Sequence, residues 1–363
     1  MVKRGVVLEY IVGGGLSHIE SCSIGSSFRQ EGWAMLSCLV ADWQRSRTDG
    51  EEWEVIAPVD RRISDWFGEL PAAIFQPIEE QQDFLDVWCH LAADCDAVIL
   101  IAPESDNELA RLNAAIDEVS DARLGCRSPF LERASDKLMM AEYMSDENIH
   151  PQTLSVGKFC SLMRSNVNQQ QRQWILKPCD GAGCDGIWKG SGADILSLVA
   201  DQQKTKRSLV QRYLPGRPAS VAAWVTEKDR MWLPPVWQDI RWELDETFPL
   251  TGLERPTYRG GSGPMPKQCW ATVHAFANRV LDLMGPGALG WVGIDFVFCD
   301  TDNAIQCSVI EVNPRWTTSY IGLRQIYQGN LLELLLRMTF GGRSEVGSEL
   351  KKTWTENVVQ WTV

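Results

Sequence analysis

Two acidic residues in the last quarter of the chain have a spacing that could place them side by side on a hairpin. Residues 290–299 and 305–313 are apolar segments joined by a polar turn, a pattern that predicts two antiparallel strands. If the hairpin is symmetric about Asn303, Asp295 pairs directly with Glu311. Directly paired side chains project from the same face of a sheet, so the two carboxylates would lie close together.

An amide and a guanidinium extend this acidic pair. Asn313 follows Glu311 by two residues and so lies on the same face, and Arg315 would follow if the strand continued past Pro314. Two carboxylates and one amide oxygen are hard ligands that suit Mg²⁺ shared with phosphates. The alternative is a row of solvent-exposed acids. Apolar residues flank the pair, however, and buried carboxylates are costly unless they bind something, so the sequence favours a metal site.

A glycine-rich segment, WILKPCDGAGCDGIWKG at 174–190, has the residue types of an anion-binding loop. A predicted strand delivers Lys177, Pro178 ends that strand, and glycines follow at positions 181, 183 and 186. Glycine lets backbone N–H groups approach an anion closely, and lysine supplies a compact positive charge. The spacing is not that of a Walker A loop. A glycine-rich surface hairpin with an exposed lysine is an equal alternative.

A third segment, LVQRYLPGRPASVAAWV at 209–225, predicts two strands joined at Leu214-Pro215-Gly216. Backbone groups at such a hinge could pair with the edge of an adenine ring. Pro-Gly is also common in ordinary turns, and the segment taken alone favours a plain β-turn.

The first ~125 residues alternate between strand and helix patterns, which predicts a parallel sheet covered by helices. Three glycines follow the first strand, but they lack the GxGxxG spacing of a dinucleotide site and favour a flexible turn over a substrate pocket. The predicted strands are 5–12, 53–59 and 97–102, and the predicted helices are 26–45, 81–93 and 106–120.

The pattern changes at about residue 135, where the regular alternation ends. Residues 256–266 are rich in glycine and proline and predict a mobile loop. The predicted helices are 135–144, 267–284 and 330–339, and the predicted strands are 174–177, 208–213, 219–226, 290–299 and 305–313.

Composition excludes several classes of function. The 363 residues suggest two or three lobes, and 35 Lys and Arg against 48 Asp and Glu give a net charge of −13. This acidity argues against a general nucleic-acid binder and against docking on anionic lipid. No segment approaches the ~20 apolar residues of a membrane span, and the apolar start predicts a strand rather than a signal peptide. The 11 cysteines form no CxxC pair, which indicates a reducing cytoplasm.

Taken together and in order, these segments resemble the ATP-grasp superfamily over roughly residues 135–339. The resemblance implies a mixed α/β and α+β fold, with ATP held between two subdomains and a parallel-sheet (pre-ATP-grasp) lobe before them. The implied domains are 1–125 for that substrate lobe, 126–215 for the small subdomain with the glycine-rich loop, and 216–363 for the large subdomain with the metal site.

The resemblance also implies a role for each site residue. Lys137 and Lys177 would contact the phosphates of ATP, and Arg315 would stabilise the acyl-phosphate transition state. Residues 180–186 would close over the β- and γ-phosphates. The residues named in that loop are Asp180, Gly181, Gly183 and Gly186.

The adenine and the metal complete the implied site. The backbone of Arg212 and Leu214 would hold adenine, with Gln211 nearby. Mg²⁺ or Mn²⁺ would be bound by the set already found from the hairpin, namely Asp295, Glu311 and Asn313. Many relatives have Glu in place of Gln211 and a ribose-binding Glu near Pro218. These departures put the binding of ribose in doubt.

Within the superfamily, several segments resemble the family of ligases that join tyramine to L-glutamate in methanofuran synthesis. They are LEYIVGGG, EGWAMLSCLVADW, IAPE, KPCDGAGCDGI, QRYLPGRPASV and EVNPRWTTSYIGLR. The likeness implies a cytoplasmic ligase for small molecules, for which a homodimer is one compatible state. It would transfer the γ-phosphoryl of ATP to the γ-carboxyl of L-glutamate. An aromatic amine such as tyramine would then attack the acyl phosphate.

Three questions stay open at this stage. A bicarbonate-using carboxylase shares such an ATP site, although the chain has no carrier-lysine signature. A non-catalytic ATP-binding regulatory protein is the second alternative, and the change at Gln211 is its best support. Glu9 and Glu104 end strands of the first lobe and could face the amine, but ordinary exposed loop acids are the favoured interpretation.

Overall fold

The computed structural model describes residues 2–19, 25–48, 50–63, 70, 74–79, 82–144, 149–201, 207–246, 252–301, 304–340 and 354–362, and these residues form two sheets. The first lobe contains β1 (Lys3–Glu9), α1 (Ser26–Gln44), β2 (Arg47–Thr48), β3 (Glu51–Asp60), β4 (Ile74–Ile78), α2 (Phe84–Ala93), β5 (Ala97–Ile101) and α3 (Glu108–Val119).

The sheet of the first lobe is mainly parallel. β1 lies between β3 and β5 and runs parallel to both, and β4 runs parallel to β3. Only the two-residue strand β2 pairs antiparallel, at the start of β3. Parallel neighbours need crossover connections, which the helices supply. The predicted parallel sheet is confirmed. β4 was missed, because its sequence IFQPI carries a proline and little alternation.

The rest of the chain builds an antiparallel sheet with helices packed on it. Its helices are α4 (Phe130–Ser135), α5 (Lys137–Tyr143), α6 (Val156–Ser165), α7 (Val167–Gln170), α8 (Gly192–Asp201), α9 (Lys267–Met284), α10 (Ser319–Ile326) and α11 (Leu331–Phe340). Its strands are β6 (Thr153–Ser155), β7 (Gln173–Pro178), β8 (Trp188–Ser191), β9 (Ser208–Arg212), β10 (Arg217–Val225), β11 (Arg230–Trp232), β12 (Val236–Leu244), β13 (Glu254–Gly263), β14 (Gly290–Thr301), β15 (Ala304–Asn313) and β16 (Val359–Trp361).

The strand order in this sheet is β15-β14-β10-β12-β13-β8-β7-β9-β6, with β11 beside β10 and β16 beside β13. The order places two groups of paired strands in one sheet. β7, β8 and β9 form one end, and β10, β14 and β15 form the other. The long strands β12 and β13 lie between the two ends, so the hydrogen-bonded ladder is continuous across this sheet. The domain boundaries near residues 125 and 215 stay a prediction.

The prediction of a mobile loop at 256–266 is wrong. Most of that segment is β13, which pairs with β12 on one edge and with β16 on the other. Its glycines serve close packing rather than mobility. A Cβ on Gly260 would lie 2.0 Å from the carbonyl oxygen of Trp361, and one on Gly261 would lie 2.5 Å from the Trp361 ring. Glycine in a strand here marks a close approach of neighbouring chain.

At the end of the β14–β15 hairpin that lies away from the turn, Asp295 pairs with Glu311 as predicted. The symmetry about Asn303 from which that pairing was predicted is not the cause. Near the turn the pairing is Thr301 with Ala304, which places the centre of the turn half a residue before Asn303. A bulge at Ile310 then shifts the register, so that Asp295 pairs with Glu311 after all. One extra residue on β15 compensates for the offset of the turn.

A buried ion pair joins the first lobe to the helices that follow the hairpin. Asp42 of α1 accepts hydrogen bonds from the Tyr320 hydroxyl at 2.6 Å and from two guanidinium nitrogens of Arg324 at 2.6 and 2.7 Å. The Asn330 amide also donates to the Asp42 carbonyl at 2.6 Å. Burial alone would raise the pKa of Asp42, but these donors outweigh it and lower that pKa.

Within the described residues, no helix combines the length and the apolar composition that crossing a membrane requires. The ten described cysteines are free thiols.

Candidate active site

One cavity of about 400 Å³ collects the side chains and backbone of the predicted site. Its walls come from both ends of the antiparallel sheet and from α1 of the first lobe. The predicted residues that line it are Lys137, Lys177, Asp180, Gly181, Gly183, Gln211, Arg212, Leu214, Asp295, Glu311, Asn313 and Arg315. Gly186 does not line it. A Cβ there would lie 3.0 Å from the Pro178 ring, so this glycine lets the loop pack back on β7.

The acidic side of the cavity is formed by the end of the β14–β15 hairpin that lies away from the turn. Asp295 and Glu311 are paired residues, and Asn313 donates through Nδ2 to Asp295 Oδ2 at 3.2 Å. Burial, together with the negative charge of Glu311, raises the pKa of Asp295 to about 6. A carboxylate whose charged form is destabilised in this way would gain from a bound cation.

This donor set fits a divalent cation that is shared with phosphate. Within the described residues, no three or more His, Cys, Asp or Glu side chains are grouped to hold a metal ion by themselves. Two carboxylates and one amide oxygen would leave the other positions of an octahedral Mg²⁺ to water and phosphate oxygens, as is usual at nucleotide sites.

Two buried lysines face these acids. Lys137 Nζ lies 2.9 Å from Glu311 Oε1 and donates to the carbonyl of Gly181 at 2.8 Å. Lys177 donates to the carbonyl of Ile310, the bulge residue, at 3.3 Å. Burial lowers the pKa of Lys177 to about 8. For Glu311, burial alone would raise the pKa, but the two lysine charges outweigh it and lower that pKa.

Arg315 is held from the first lobe. Its Nε and one terminal nitrogen donate to the two carboxylate oxygens of Glu104 at 2.8 and 2.9 Å. The Glu104 side chain is only 2% exposed. This bidentate geometry fixes the plane of the guanidinium. Glu104 is therefore not the exposed loop acid favoured from the sequence, and it orients the Arg315 side chain.

The glycine-rich loop, residues 180–186, is docked on the first lobe. Asp180 Oδ2 accepts from the backbone N–H of Asp106 at 2.8 Å. Gly183 has φ +71° and approaches α1 so closely that a Cβ would lie 2.8 Å from the Phe28 ring. Cys184 next to it also has positive φ. The loop thus covers one side of the cavity and bridges the lobes.

The hinge between β9 and β10 offers fewer free groups than the sequence suggested. The N–H of Arg212 donates to the carbonyl of Gln152 at 2.8 Å, so it is already used. Gln211 Nε2 donates to Thr153 Oγ1 at 2.9 Å and lies 3.3 Å from His150 Nε2. In the described part of the chain, no residue accepts from the N–H of Leu214. Leu214 is therefore a hinge position with a backbone donor to offer.

Sequence reasoning missed Glu31 and most of the aromatic lining. Glu31 on α1 lines the cavity, whereas Glu9 is buried away from it and accepts from the Val12 N–H at 2.8 Å. The aromatic residues that line the cavity are Tyr213, Trp242, Tyr258, Phe296 and Trp361. Tyr213 follows β9 directly, and the other four come from strands that are distant in the chain. Only the strand order, which the sequence does not reveal, brings them together.

Comparison with protein-family models gives two consecutive matches. The model of the ATP-grasp domain matches residues 134–319, and the model of the pre-ATP-grasp 3 domain matches residues 53–129. Among characterised proteins, the chain is 23% identical over 246 residues to tyramine–L-glutamate ligase from Methanocaldococcus fervens. That match covers 67% of this chain and 65% of the length of the relative.

Solved structures with the same fold include three that span most of the chain. An ATP-grasp superfamily protein from Archaeoglobus fulgidus has a TM-score of 0.64 at 21% identity and covers 92% of this chain and 88% of its own. D-alanine–D-alanine ligase from Bacillus anthracis has a TM-score of 0.54 at 13% identity, with 97% of each chain covered. Carboxyaminoimidazole ribonucleotide synthase from Aspergillus clavatus, complexed with ATP, has a TM-score of 0.54 at 12% identity, with 88% and 71% covered.

Proposed function

The chain belongs to the ATP-grasp family, and on that premise we propose that it is an ATP-dependent ligase that joins a carboxylate to an amine through an acyl phosphate. The observation that carries the proposal is the meeting of cations and acids in one cavity. Lys137, Lys177 and Arg315 line it together with Asp295 and Glu311. Transfer of the γ-phosphoryl group of ATP needs this combination, because the negative charge of the phosphates must be neutralised while that group moves to the carboxylate.

The chemistry follows from the poor reactivity of a free carboxylate. A carboxylate oxygen attacks the γ-phosphorus of ATP, ADP leaves, and an acyl phosphate results. The neutral amine then forms the C–N bond and gives up one proton, the C–O bond breaks, and phosphate departs carrying that proton. The first step is mainly a matter of positioning and charge stabilisation. Lys177 and Arg315 are the groups we assign to it.

The cofactors of the proposed reaction are ATP and a divalent cation. Lys137 and the loop residues Asp180, Gly181 and Gly183 would hold the phosphates. Asp295, Glu311 and Asn313 would hold Mg²⁺ or Mn²⁺, which would act as a Lewis acid on the phosphate oxygens. The adenine would lie against the hinge at Leu214. The docked glycine-rich loop would exclude water from the intermediate, which hydrolyses readily.

The substrates we propose are L-glutamate, through its γ-carboxyl, and tyramine or a related aromatic amine. Support comes from the relative in Methanocaldococcus fervens, whose name states those two substrates, and from the aromatic lining of the cavity. The reaction would belong to a methanofuran-type synthesis of a one-carbon cofactor. The domain division at residues 125 and 215 is part of the same proposal.

The test is ADP release by purified protein with ATP, Mg²⁺, L-glutamate and a panel of amines, with products identified by mass. We expect ADP and amide in equal amounts, and only when both organic substrates are present. ADP release that depends on bicarbonate instead would indicate a carboxylase. ATP binding without turnover under every pairing would indicate a regulatory protein.

A further inference from the structure

Glu31 stands out because it is a cavity-lining acid with no protein partner. It lies in the second turn of α1, its side chain is partly buried, and it belongs to the first lobe. In the part of the chain that the structure describes, no group donates a hydrogen bond to its carboxylate or forms an ion pair with it. The other cavity acids named above, Asp180, Asp295 and Glu311, have such partners.

The charge of Glu31 is not neutralised by the nearby guanidinium. Arg315 is the cation that acts on Glu31 electrostatically, yet its Nε and one terminal nitrogen donate to Glu104 at 2.8 and 2.9 Å. Its other terminal nitrogen donates to the carbonyl of Trp316 at 3.3 Å. A partly buried carboxylate without a partner loses part of its hydration, and no protein group compensates for that free-energy cost. A cationic group of a bound molecule would compensate for it.

Glu31 shares the cavity with aromatic residues. Its negative charge acts on Tyr258, whose hydroxyl lies 3.1 Å from Thr318 Oγ1. Trp361, from the last strand of the sheet, lines the same cavity and packs against Tyr258's own strand, β13. A negative charge beside flat apolar surface suits a molecule with a cationic end and an aromatic body.

We propose that Glu31 binds the ammonium group of the amine substrate, and that Tyr258 and Trp361 contact its carbon skeleton. This inference rests on the proposed ligase function and deepens it. The acceptor is a primary amine with an aromatic body, and it enters from the side of the first lobe. Its nitrogen is held near Arg315, where the acyl phosphate would form. Glu31 is thus a residue that determines specificity for the amine.

The test compares a cationic nucleophile with an uncharged one. Glu31→Gln keeps the size of the side chain and removes its charge. With ATP and L-glutamate, the variant should raise the KM for tyramine by about tenfold or more, since a lost ion pair of this kind is worth that factor. Hydroxylamine is uncharged at pH 8, and its reaction with the acyl phosphate to give a hydroxamate should proceed at the wild-type rate. Glu31→Asp keeps the charge, and its KM for tyramine should lie between those of the wild-type protein and Glu31→Gln.

Glu118→Gln is the matched control, because Glu118 is an exposed acid of the same lobe on α3 and does not line the cavity. It should leave both reactions unchanged. An unchanged KM for tyramine in Glu31→Gln would overturn the inference, as would equal losses with tyramine and hydroxylamine. A raised KM for L-glutamate in the hydroxylamine assay would also overturn it, because Glu31 would then contact the other substrate. If the wild-type protein formed neither amide nor hydroxamate, the proposed function itself would fall and the inference with it.

Discussion

The pairing of Glu104 with Arg315 makes the position of the proposed catalytic cation depend on a residue 211 positions away in the chain. Glu104→Gln would keep one acceptor oxygen and lose the charge and the second oxygen. We expect kcat to fall by about tenfold or more, because the guanidinium would no longer be held in one plane. The KM for ATP should change little, because the proposed phosphate contacts of Lys137 and Lys177 would be kept.

The control for Glu104→Gln is Glu108→Gln. That change removes an ion pair with Arg111 on the same lobe, where the Arg111 side chain is 46% exposed. Steady-state kinetics of both variants make the comparison. Equal kcat values for Glu104→Gln and the wild-type protein would show that Arg315 needs no support from the first lobe.

Glu9 lowers the free energy of unfolding by an amount that depends on pH. Its burial raises its pKa from 4.5 to about 8. In the unfolded chain the group ionises near its ordinary value. Between these two values the unfolded state therefore binds fewer protons than the folded state, and stability falls as pH rises through that window. Above about pH 8 both states are ionised and the decline ends.

Glu9→Gln should remove this decline, because the amide oxygen can still accept from the Val12 N–H. We expect the variant and the wild-type protein to have equal free energies of unfolding at about pH 4, and the variant to be more stable at about pH 8. The gain should amount to a few kcal/mol, since one pKa unit corresponds to about 1.4 kcal/mol. Urea denaturation across this pH range measures it. Parallel pH profiles for the two proteins would contradict the argument.

The site residues differ in how far the sequence could predict them. Asp295 and Glu311 were predictable because strand pairing and a two-residue period are local rules. Lys177 was predictable because a strand end and glycines surround it. Glu31 and the partner of Arg315 were not, because α1 meets the hairpin only through the packing of two lobes. No local pattern encodes such a contact.

The glycine-rich loop links the lobes through close contact at Gly183. Gly183→Ala would place a methyl group 2.8 Å from the Phe28 ring and hold a non-glycine residue at φ +71°. The left-handed backbone alone costs about 1–2 kcal/mol. We expect the docked loop to be lost and ATP turnover to fall, by about tenfold. Kinetics of ADP release measure the effect.

Two further variants separate the causes of that loss. Gly157→Ala, near the start of α6, has nothing within 4 Å of the new Cβ and should leave turnover unchanged. Phe28→Ala combined with Gly183→Ala should recover the part of the loss that comes from the clash, but not the part that comes from the backbone. Full activity of Gly183→Ala alone would contradict a docked loop in the active state.

Elements show the same contrast between local and distant causes. The helix at 267–284 and the hairpin strands were predictable from periodicity alone, and the structure confirms them. β13 was not, because its glycines indicate a loop until β16 is known to lie against them. The bulge at Ile310 was also hidden. Its carbonyl accepts from Lys177, so a local irregularity helps to position a side chain to which we assign a catalytic role.

The two lobes are held together by a buried polar contact as well as by apolar packing. Asp42→Asn would leave Arg324 without its counter-ion at a site where the Asp42 side chain is 4% exposed. Loss of one partner from a buried pair costs about 3–5 kcal/mol. We expect a lower free energy of unfolding by about that amount, or separate unfolding of the lobes.

Urea denaturation followed by two probes measures this change. Asp282→Asn is the control, because it removes a pair with Arg230 at a site where the Asp282 side chain is 67% exposed. Exposed pairs contribute about 0–1 kcal/mol, so the control should unfold like the wild-type protein. Equal stability of the two variants would contradict a structural role for Asp42.

For the whole molecule, the net charge of −13 excludes fewer ligands than the sequence alone suggests. It argues against binding of extended polyanions, but the cavity gathers Lys137, Lys177 and Arg315 around a space of about 400 Å³. A single nucleotide meets that local field rather than the total charge. The central claim is therefore that this cavity activates a carboxylate by phosphorylation.

Transfer of an oxygen label tests that claim most directly. The purified protein would be given ATP, Mg²⁺, tyramine and L-glutamate labelled with ¹⁸O in the γ-carboxyl, and the released phosphate would be analysed by mass. Attack by the carboxylate predicts one ¹⁸O atom in each phosphate and one remaining in the amide. Amide formation with unlabelled phosphate, or ATP cleavage that needs no carboxylate, would contradict the account.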